Sequence, residues 1–141
     1  MSAGYSGTPL PKKLGIAAGT AFATKHAPTG FAETLGDLPP GAVWKTQVRP
    51  GLHVVVAFYT SAATMRGEWE RLTAAVVPTG TVWIAWPKKA SKVPTDITED
   101  VLRAELLPTG WVDNKVCAID DTWSGLRFAL RKDLRRRPSK A

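Results

Sequence analysis

The sequence has one cysteine and no long hydrophobic run. Among its 141 residues Cys117 is the only cysteine, so no disulfide can form within the chain. This fits a reducing compartment and predicts a cytoplasmic protein. No stretch reaches the roughly 18 consecutive apolar residues of a membrane helix, and the first residues hold no apolar run of signal-peptide length. We therefore expect no membrane partner.

The sequence also lacks glycine-rich motifs that bind phosphate groups, and it lacks clusters of metal-ligating residues. Neither a P-loop nor the glycine fingerprint of dinucleotide-binding proteins is present. The only histidines are His26 and His53, and their spacing does not support a metal site with Asp120 or Asp121. Cys117 is expected to be a small hydrophobic residue in a strand rather than a nucleophile. The motifs thus predict no catalytic residue, no cofactor and no metal.

Positive charge is concentrated near the C-terminus. The formal net charge is +7, and the segment from Arg127 to Ala141 contains seven basic residues and one acid. Residues 1–131 are predicted to form a single α/β domain, and residues 132–141 a basic, flexible tail. Such a tail has the composition of a segment that contacts nucleic-acid phosphates. A solvated terminus that aids solubility is the favoured alternative.

Apolar strand patterns alternate with helical ones along the chain. Strands are predicted at residues 19–26, 42–48, 52–60, 81–86, 111–120 and 125–131. One helix is predicted after Thr8 and Pro9 and another over residues 61–77, where Trp69 lies in an apolar stripe and is expected in the core. A third helix is predicted to be capped by Asp96, with Glu99 completing a capping box. Glycines before strands, among them Gly80, are expected to take left-handed conformations at helix ends.

This order of elements predicts a three-layer, Rossmann-like α/β fold. Strands separated by helices form a mostly parallel sheet, here of about six strands. Only a short link joins the last two strands, so the C-terminal strand is expected to be antiparallel. The arrangement is similar to the class I methyltransferase core, which is a likeness of fold and not evidence of activity.

Ligands of open α/β sheets bind beyond the carboxyl ends of the strands. The residues predicted to follow those ends form a basic rim with two tryptophans. The candidate ligand-binding residues are Lys25, His26, Arg49, Trp86, Lys88, Lys89, Ser91, Asp120, Asp121, Trp123 and Ser124. Solvent-exposed loop lysines and an ordinary turn at Asp120–Asp121 are the simpler alternatives. If the rim is a site, we expect Asp120 or Asp121 to pair with Lys88 or Lys89 until an anion displaces them.

Two departures argue against S-adenosylmethionine in its usual pose. A methyltransferase would have a glycine-rich loop after the first strand and an acid after the second, which holds the ribose hydroxyls. This sequence has a single glycine, Gly30, in "ATKHAPTGF", and Arg49 is predicted to take the place of the acid. We therefore expect this cofactor to bind weakly or not at all.

Several specific motifs resemble those of a bacterial domain family of unknown function. These are "GYSGTPLPKKLGI", "WIAWPKKAS", "DITEDVLR" and "KVCAIDDTWSGLRF", and the resemblance spans about residues 3–131. It implies a small, stand-alone cytoplasmic protein and supplies no activity, cofactor or catalytic residue. We expect a non-enzymatic or degenerate-site binder of an anionic, phosphate-bearing molecule at the carboxyl ends of the strands. The alternatives are a nucleic-acid-binding protein that uses the basic tail and rim, and a divergent methyltransferase.

Overall fold

A computed structural model describes residues 8–135 of the chain. The helices are α1 (Leu10–Leu14), α2 (Phe31–Leu35), α3 (Ala62–Ala75), α4 (Glu99–Leu106) and α5 (Lys132–Arg135). The strands are β1 (Ala21–Lys25), β2 (Val43–Lys45), β3 (Leu52–Phe58), β4 (Val76–Pro87), β5 (Trp111–Ala118) and β6 (Trp123–Leu130). Short 3-10 turns cover Lys89–Ser91 and Leu107–Thr109. No helix within the described range is long and apolar enough to cross a membrane.

The six strands form one sheet in the order β2-β1-β3-β4-β6-β5. Strands β1 to β4 are parallel, whereas β6 is antiparallel to both β4 and β5. The predicted α/β fold with a mostly parallel sheet and antiparallel C-terminal pairing is thus confirmed. The chain runs outward from β1 to β2 and then returns to place β3 on the other side of β1. The boundary between β1 and β3 is therefore the point where strand order reverses.

Two hydrophobic clusters hold the sheet to its helices. In the first, Ala57 and Ile84 of the sheet are grouped with Met65 and Trp69 of α3 and with Leu102 of α4. In the second, sheet residues are grouped with Leu14 of α1 and Phe31 of α2, and the Trp83 indole donates to the Leu14 carbonyl over 2.9 Å. Trp69 is 5% exposed, which confirms its place in the core.

Helix α3 positions the residues that matter most below. Ser61 caps its N-terminus by accepting a hydrogen bond from the Thr64 amide. The Asp96 carboxylate accepts from the amide of Ala62 over 2.8 Å. The expectation that Asp96 caps α4 was wrong. Thr98 does so by accepting from the Val101 amide, because it stands three residues before that amide.

Three further features differ from the sequence-based predictions. Helix α2 was not predicted, since its five residues are too few to show a helical period. Gly80 does not end a helix but lies inside β4, where a Cβ atom would come within 2.9 Å of the His53 carbonyl oxygen. Residues 132–135 of the predicted tail form α5, and the side chain of Arg135 donates to the Leu130 carbonyl over 2.8 Å. The remainder of the tail lies outside the described residues.

Candidate functional site

The carboxyl ends of the parallel strands place several polar side chains along one edge of the sheet. Lys25 ends β1 and His26 follows it, while Tyr59 directly follows β3. The turn between β5 and β6 lies at the same edge, because Trp123 pairs with Pro87 at the end of β4. The Lys88 amide donates to the Thr122 carbonyl over 2.7 Å. The "PKKAS" loop and the "DTWSG" turn are therefore neighbours.

A cavity of about 290 Å³ lies over the boundary between β1 and β3. Its walls combine aromatic rings, hydroxyl groups and one imidazole. The lining residues are His26, Phe58, Tyr59, Thr60, Ser61, Thr64 and Trp123. The rings of Phe58 and Trp123 meet edge to face at 5.2 Å. We call this space the switch-point cavity, since ligands of open α/β sheets bind where strand order reverses.

Three ionisable side chains are joined at this cavity. Nε2 of His26 lies 3.0 Å from Oε1 and 3.2 Å from Oε2 of Glu68 on α3. The Tyr59 hydroxyl donates to the same Oε1 over 2.5 Å. The rings of His26 and Tyr59 also meet edge to face at 5.3 Å. His26 follows β1, Tyr59 follows β3 and Glu68 lies on α3. The contact therefore links three elements at the strand-order reversal.

The local environment fixes two of the three protonation states. Burial, followed by the hydrogen bond to Glu68, raises the pKa of the Tyr59 hydroxyl well above its ordinary value. Burial alone would raise the pKa of Glu68, but the hydrogen bonds from Tyr59 and His26 outweigh it, and the pKa is lowered. At neutral pH Tyr59 is therefore a neutral donor and Glu68 an ionised acceptor. An ionised carboxylate accepts only, so the His26 nitrogen that faces it carries a proton.

His26 also has an unusual backbone conformation. Its φ is +59°, and Lys92 is the only other non-glycine residue with a positive φ in the described part of the chain. A non-glycine residue held in this region costs about 1–3 kcal/mol and persists only where the surrounding structure determines it. The conformation holds the imidazole between Glu68 and the cavity.

A second cavity, of about 260 Å³, lies on the other side of the same carboxylate. It is lined by Thr24, Lys25, Thr46, Gln47, Val48, Glu68, Arg71 and Leu72. We call it the β2-side cavity, since Thr46 directly follows Lys45, the last residue of β2. Within residues 8–135 neither Lys25 nor Arg71 forms an ion pair.

The prediction that Arg49 takes the place of the ribose-binding acid was wrong, because β2 ends earlier than its pattern indicated. Thr46 and Gln47 follow the strand directly. Arg49 stands three residues before β3 begins, in the segment that returns the chain toward the opposite edge of the sheet. It lines neither cavity. No acid occurs between Lys45 and Leu52, so the expected absence of a carboxylate at this position holds.

The polar groups beside β4 mostly stabilise the loops that contain them. Oδ1 of Asp120 accepts from the amides of Thr122 and Trp123, each over 2.8 Å. Within residues 8–135 no ion pair joins Asp120 or Asp121 to either lysine of "PKK". The ion pair expected from the sequence is therefore replaced by a hydrogen-bonded turn, since the carboxylate is already occupied by two backbone donors.

The other candidate residues fall into structural positions. Trp86 is 8% exposed and belongs to the first hydrophobic cluster. The Ser91 hydroxyl donates to the Lys88 carbonyl over 2.7 Å. Ser124 is half-buried in β6 and pairs with Trp86 in the ladder. Of the predicted set, the structure brings His26 and Trp123 together around the switch-point cavity and places Lys25 in the cavity beside it.

His53 and Cys117, which were considered from the sequence as metal-ligand and nucleophile candidates, occupy structural positions. His53 lies at the amino end of β3, where Nδ1 accepts from the Ala21 amide over 2.9 Å, so the two histidines are at opposite edges of the sheet. No cluster of potential metal ligands occurs among residues 8–135. Burial raises the pKa of the Cys117 thiol, which agrees with its expected role as a hydrophobic strand residue.

Sequence patterns did not identify Glu68 as part of the site. It lies three residues after Met65 and four before Leu72, so a charged side chain borders the buried stripe of α3. A carboxylate at the margin of an apolar stripe requires a hydrogen-bond donor. That requirement was the sequence signal that could have pointed to Glu68. The donors, Tyr59 and His26, come from other elements that only the folded chain brings near.

Comparisons with known proteins identify the fold. No protein-family model matches the chain, and no curated protein matches it. Among solved structures it is similar to a candidate type 11 methyltransferase from Sulfolobus solfataricus, with a TM-score of 0.61, 8% identity and coverage of 87% of this chain and 90% of that one. For the N-methyltransferase NodS from Bradyrhizobium japonicum WM9 the TM-score is 0.55 at 12% identity, with 87% and 93% covered.

A third similar structure is the complex of DhpI with SAH, with a TM-score of 0.56 at 13% identity, covering 88% of this chain and 83% of that one. At such low identities the likeness shows the fold alone. The chain therefore has a methyltransferase-like α/β fold, as the order of its elements predicted.

Proposed function

We propose that this chain is a divergent member of the methyltransferase fold that binds a small, adenosine-containing molecule at the carboxyl edge of its sheet. The observation that supports the proposal is the position of the switch-point cavity, over the reversal of strand order in a fold shared with methyltransferases. Ligand binding at that position is the general behaviour of open α/β sheets. S-Adenosylmethionine is the first ligand to test.

The residues present match such a cofactor only in part. Aromatic walls and the hydroxyls of Thr60, Ser61 and Thr64 suit an uncharged, partly polar ligand. The β2-side cavity, however, offers Lys25 and Arg71 where a ribose-binding acid would lie. Cations there disfavour the positive sulfonium of S-adenosylmethionine. The usual cofactor contacts are therefore absent, and a bound nucleoside would have to use Thr46 and Gln47 instead.

These cations favour a second candidate function, the binding of an anionic ligand without methyl transfer. Lys25 and Arg71 line the β2-side cavity and form no ion pair in the part of the chain that the structure describes. A phosphate or carboxylate group would satisfy both side chains. Their only acidic neighbour in the lining, Glu68, already accepts hydrogen bonds from Tyr59 and His26.

Thermal unfolding and calorimetry with four probes separate the two candidates. S-Adenosylmethionine, S-adenosylhomocysteine, adenosine and AMP are each added to the full chain, because a ligand of the native state raises the unfolding midpoint. Adenosine or S-adenosylhomocysteine binding as well as AMP supports the adenosine site. Binding of AMP alone supports the anionic site. If none of the four binds at millimolar concentration, the adenosine proposal is wrong.

A matched pair of variants tests the location. Thr64→Tyr fills the switch-point cavity from the first turn of α3, whereas Ala63→Tyr adds the same ring at an exposed neighbour that does not line it. We expect Thr64→Tyr to weaken binding at least about tenfold, a cost of roughly 1.4 kcal/mol, and Ala63→Tyr to leave it unchanged. Equal binding by both variants would remove the cavity as the site.

A further inference from the structure

The contacts of His26 lead to an inference about chemistry at the switch-point cavity. Of its two ring nitrogens, Nε2 lies 3.0 Å from Glu68. Nδ1 makes no hydrogen bond within residues 8–135. With the proton held on Nε2 by the carboxylate, Nδ1 of the neutral ring carries the lone pair. The ring belongs to the cavity wall, and its side chain is 44% exposed.

We propose that His26 is an acid–base residue that accepts a proton at Nδ1 from a hydroxyl or amino group of a molecule bound in the switch-point cavity, with Glu68 and Tyr59 as positioning residues. The inference rests on the proposed binding of a small molecule there. In the step, the O–H or N–H bond of the bound molecule breaks, its electron pair stays on that molecule, and the proton bonds to Nδ1. The resulting imidazolium is stabilised by the Glu68 carboxylate.

The surrounding charges favour this step. Glu68, on α3, is the carboxylate in hydrogen-bond contact with the ring. Tyr59, which follows β3, stays neutral and donates to the same carboxylate oxygen. Lys25 from β1 and Arg71 from α3 line the β2-side cavity on the far side of Glu68. The charge of Lys25 helps to lower the pKa of Glu68, after the hydrogen bonds from Tyr59 and His26, and the carboxylate in contact with the imidazole remains that of Glu68.

The second histidine is a natural internal control. Nδ1 of His53 accepts from the Ala21 amide over 2.9 Å, so its lone pair is occupied. His53 also lies at the opposite edge of the sheet and takes no part in the proposed site. Diethyl pyrocarbonate, which acylates an imidazole nitrogen that has a free lone pair, should therefore distinguish the two residues.

The test combines two measurements on the full chain without added ligand. Nitrogen-15 NMR of the imidazole should show the proton of neutral His26 on Nε2. Site-resolved mass spectrometry should show that diethyl pyrocarbonate modifies His26 about tenfold or more faster than His53, because only His26 has an available lone pair. A proton on Nδ1 of neutral His26, or equal rates at the two histidines, would overturn the proposal.

Variants around His26 separate a positioning role from simple structural support. At a pH high enough for His26 to be neutral in both proteins, Glu68→Gln should slow modification of His26 about fivefold, since a neutral amide stabilises the positive charge that develops on the ring during acylation less than a carboxylate does. Glu70→Gln, at an exposed position of the same helix, should leave the rate unchanged. Tyr59→Phe should give a smaller decrease and serves as the second variant if Glu68→Gln fails to fold. Equal rates in both glutamine variants would contradict the positioning role.

Protection by ligand separates this inference from the proposed function. If adenosine or S-adenosylhomocysteine binds, we expect it to shield His26 and not His53 from the reagent. A bound nucleoside that leaves His26 fully reactive would overturn the acid–base role while the binding proposal stands. If no nucleoside binds, a proton on Nδ1 of neutral His26 or equal modification rates at the two histidines would still overturn the proposed role of His26.

Discussion

The carboxyl edge of the sheet has two sides that use polar residues differently. Beside β4 and β6, Asp120 binds two backbone amides and Ser91 binds the Lys88 carbonyl, so these polar side chains stabilise their own loops. Beside β1 and β3, His26 and Glu68 make contacts between elements that are distant in sequence, and cavities lie on both sides of them. The first side is built from local turns and the second from long-range contacts.

This difference supports placing the proposed site on the β1–β3 side. A turn residue whose acceptor is occupied by backbone amides gives nothing to a ligand without destabilising the turn. The β1–β3 side instead combines a left-handed histidine, a buried tyrosine and two cations without ion pairs in the described range. Strained or incompletely paired groups around a cavity are where function is expected.

The largest effect on stability is expected from a substitution in the core that supports both sides of the edge. Trp83 is fully buried in β4, its indole donates to the Leu14 carbonyl, and a Cβ atom at Gly125 would lie 3.1 Å from its ring. Trp83→Ala should lower the free energy of unfolding by about 3–5 kcal/mol, measured by urea denaturation. Trp83→Phe retains most of the packing and should cost less. If Trp83→Ala is as stable as Trp83→Phe, burial of this ring does not hold the sheet to α1.

A smaller effect is expected at the turn beside β4. Asp120→Ala removes the acceptor of two backbone hydrogen bonds and should cost about 1–3 kcal/mol of unfolding free energy. Asp121→Ala, at an exposed neighbour, should change it by less than about 0.5 kcal/mol. The binding of any adenosine-containing ligand should survive both changes. Loss of binding in folded Asp120→Ala protein would show that the turn side contributes to the site.

Much of the fold could be predicted because its signals are local. The buried run of β3 and the apolar stripe of α3 show the periods of their elements directly, and the short link after Ile119 predicted the antiparallel pair. Gly80 was misassigned because the same residue type serves helix ends and close backbone approaches. Only the position of the His53 carbonyl shows which role applies.

The candidate site was predicted less well than the fold, because its main contacts join residues that are far apart along the chain. The edge itself followed from the strand order, and His26 and Trp123 were among the expected residues. Glu68 meets His26 across 42 positions, and no local pattern encodes that contact. The lysines of "PKK" were expected at the rim from their position after β4, yet the walls of the switch-point and β2-side cavities contain neither side chain.

The pH dependence of stability gives the next test. The pKa of Glu68 is lowered in the folded chain, so its contribution is present above the ordinary value of 4.5 and is lost as pH falls through the folded value. The stability difference between the parent and Glu68→Gln should therefore be present at neutral pH and shrink on acidification below about 4.5. The Glu68 side chain is 25% exposed, so water screens part of this contribution to stability. Urea denaturation across this range, with Glu70→Gln as control, measures the difference, and a gap that widens in acid would contradict the assigned shift.

The smallest effect on stability is expected for the double variant Lys88→Ala with Lys89→Ala. Neither side chain forms an ion pair within residues 8–135, and the Lys88 amide, which bonds to the Thr122 carbonyl, remains in the variant. Unfolding free energy should change by less than about 0.5 kcal/mol. The two lysines follow β4, and β3 lies between β4 and β1. The strand that precedes the lysines is therefore about 10 Å from β1.

Ligand binding in that double variant decides between the two sides of the edge. We expect AMP or adenosine binding, measured by calorimetry, to change less than about twofold, because a lysine at an exposed rim contributes little. The matched variant Lys25→Ala with Arg71→Ala removes the same amount of charge from the β2-side cavity and should weaken AMP binding about tenfold or more while sparing adenosine. If the effects are reversed, the rim beside β4 binds the anion, and Lys88 and Lys89 complete the site from the "PKKAS" loop.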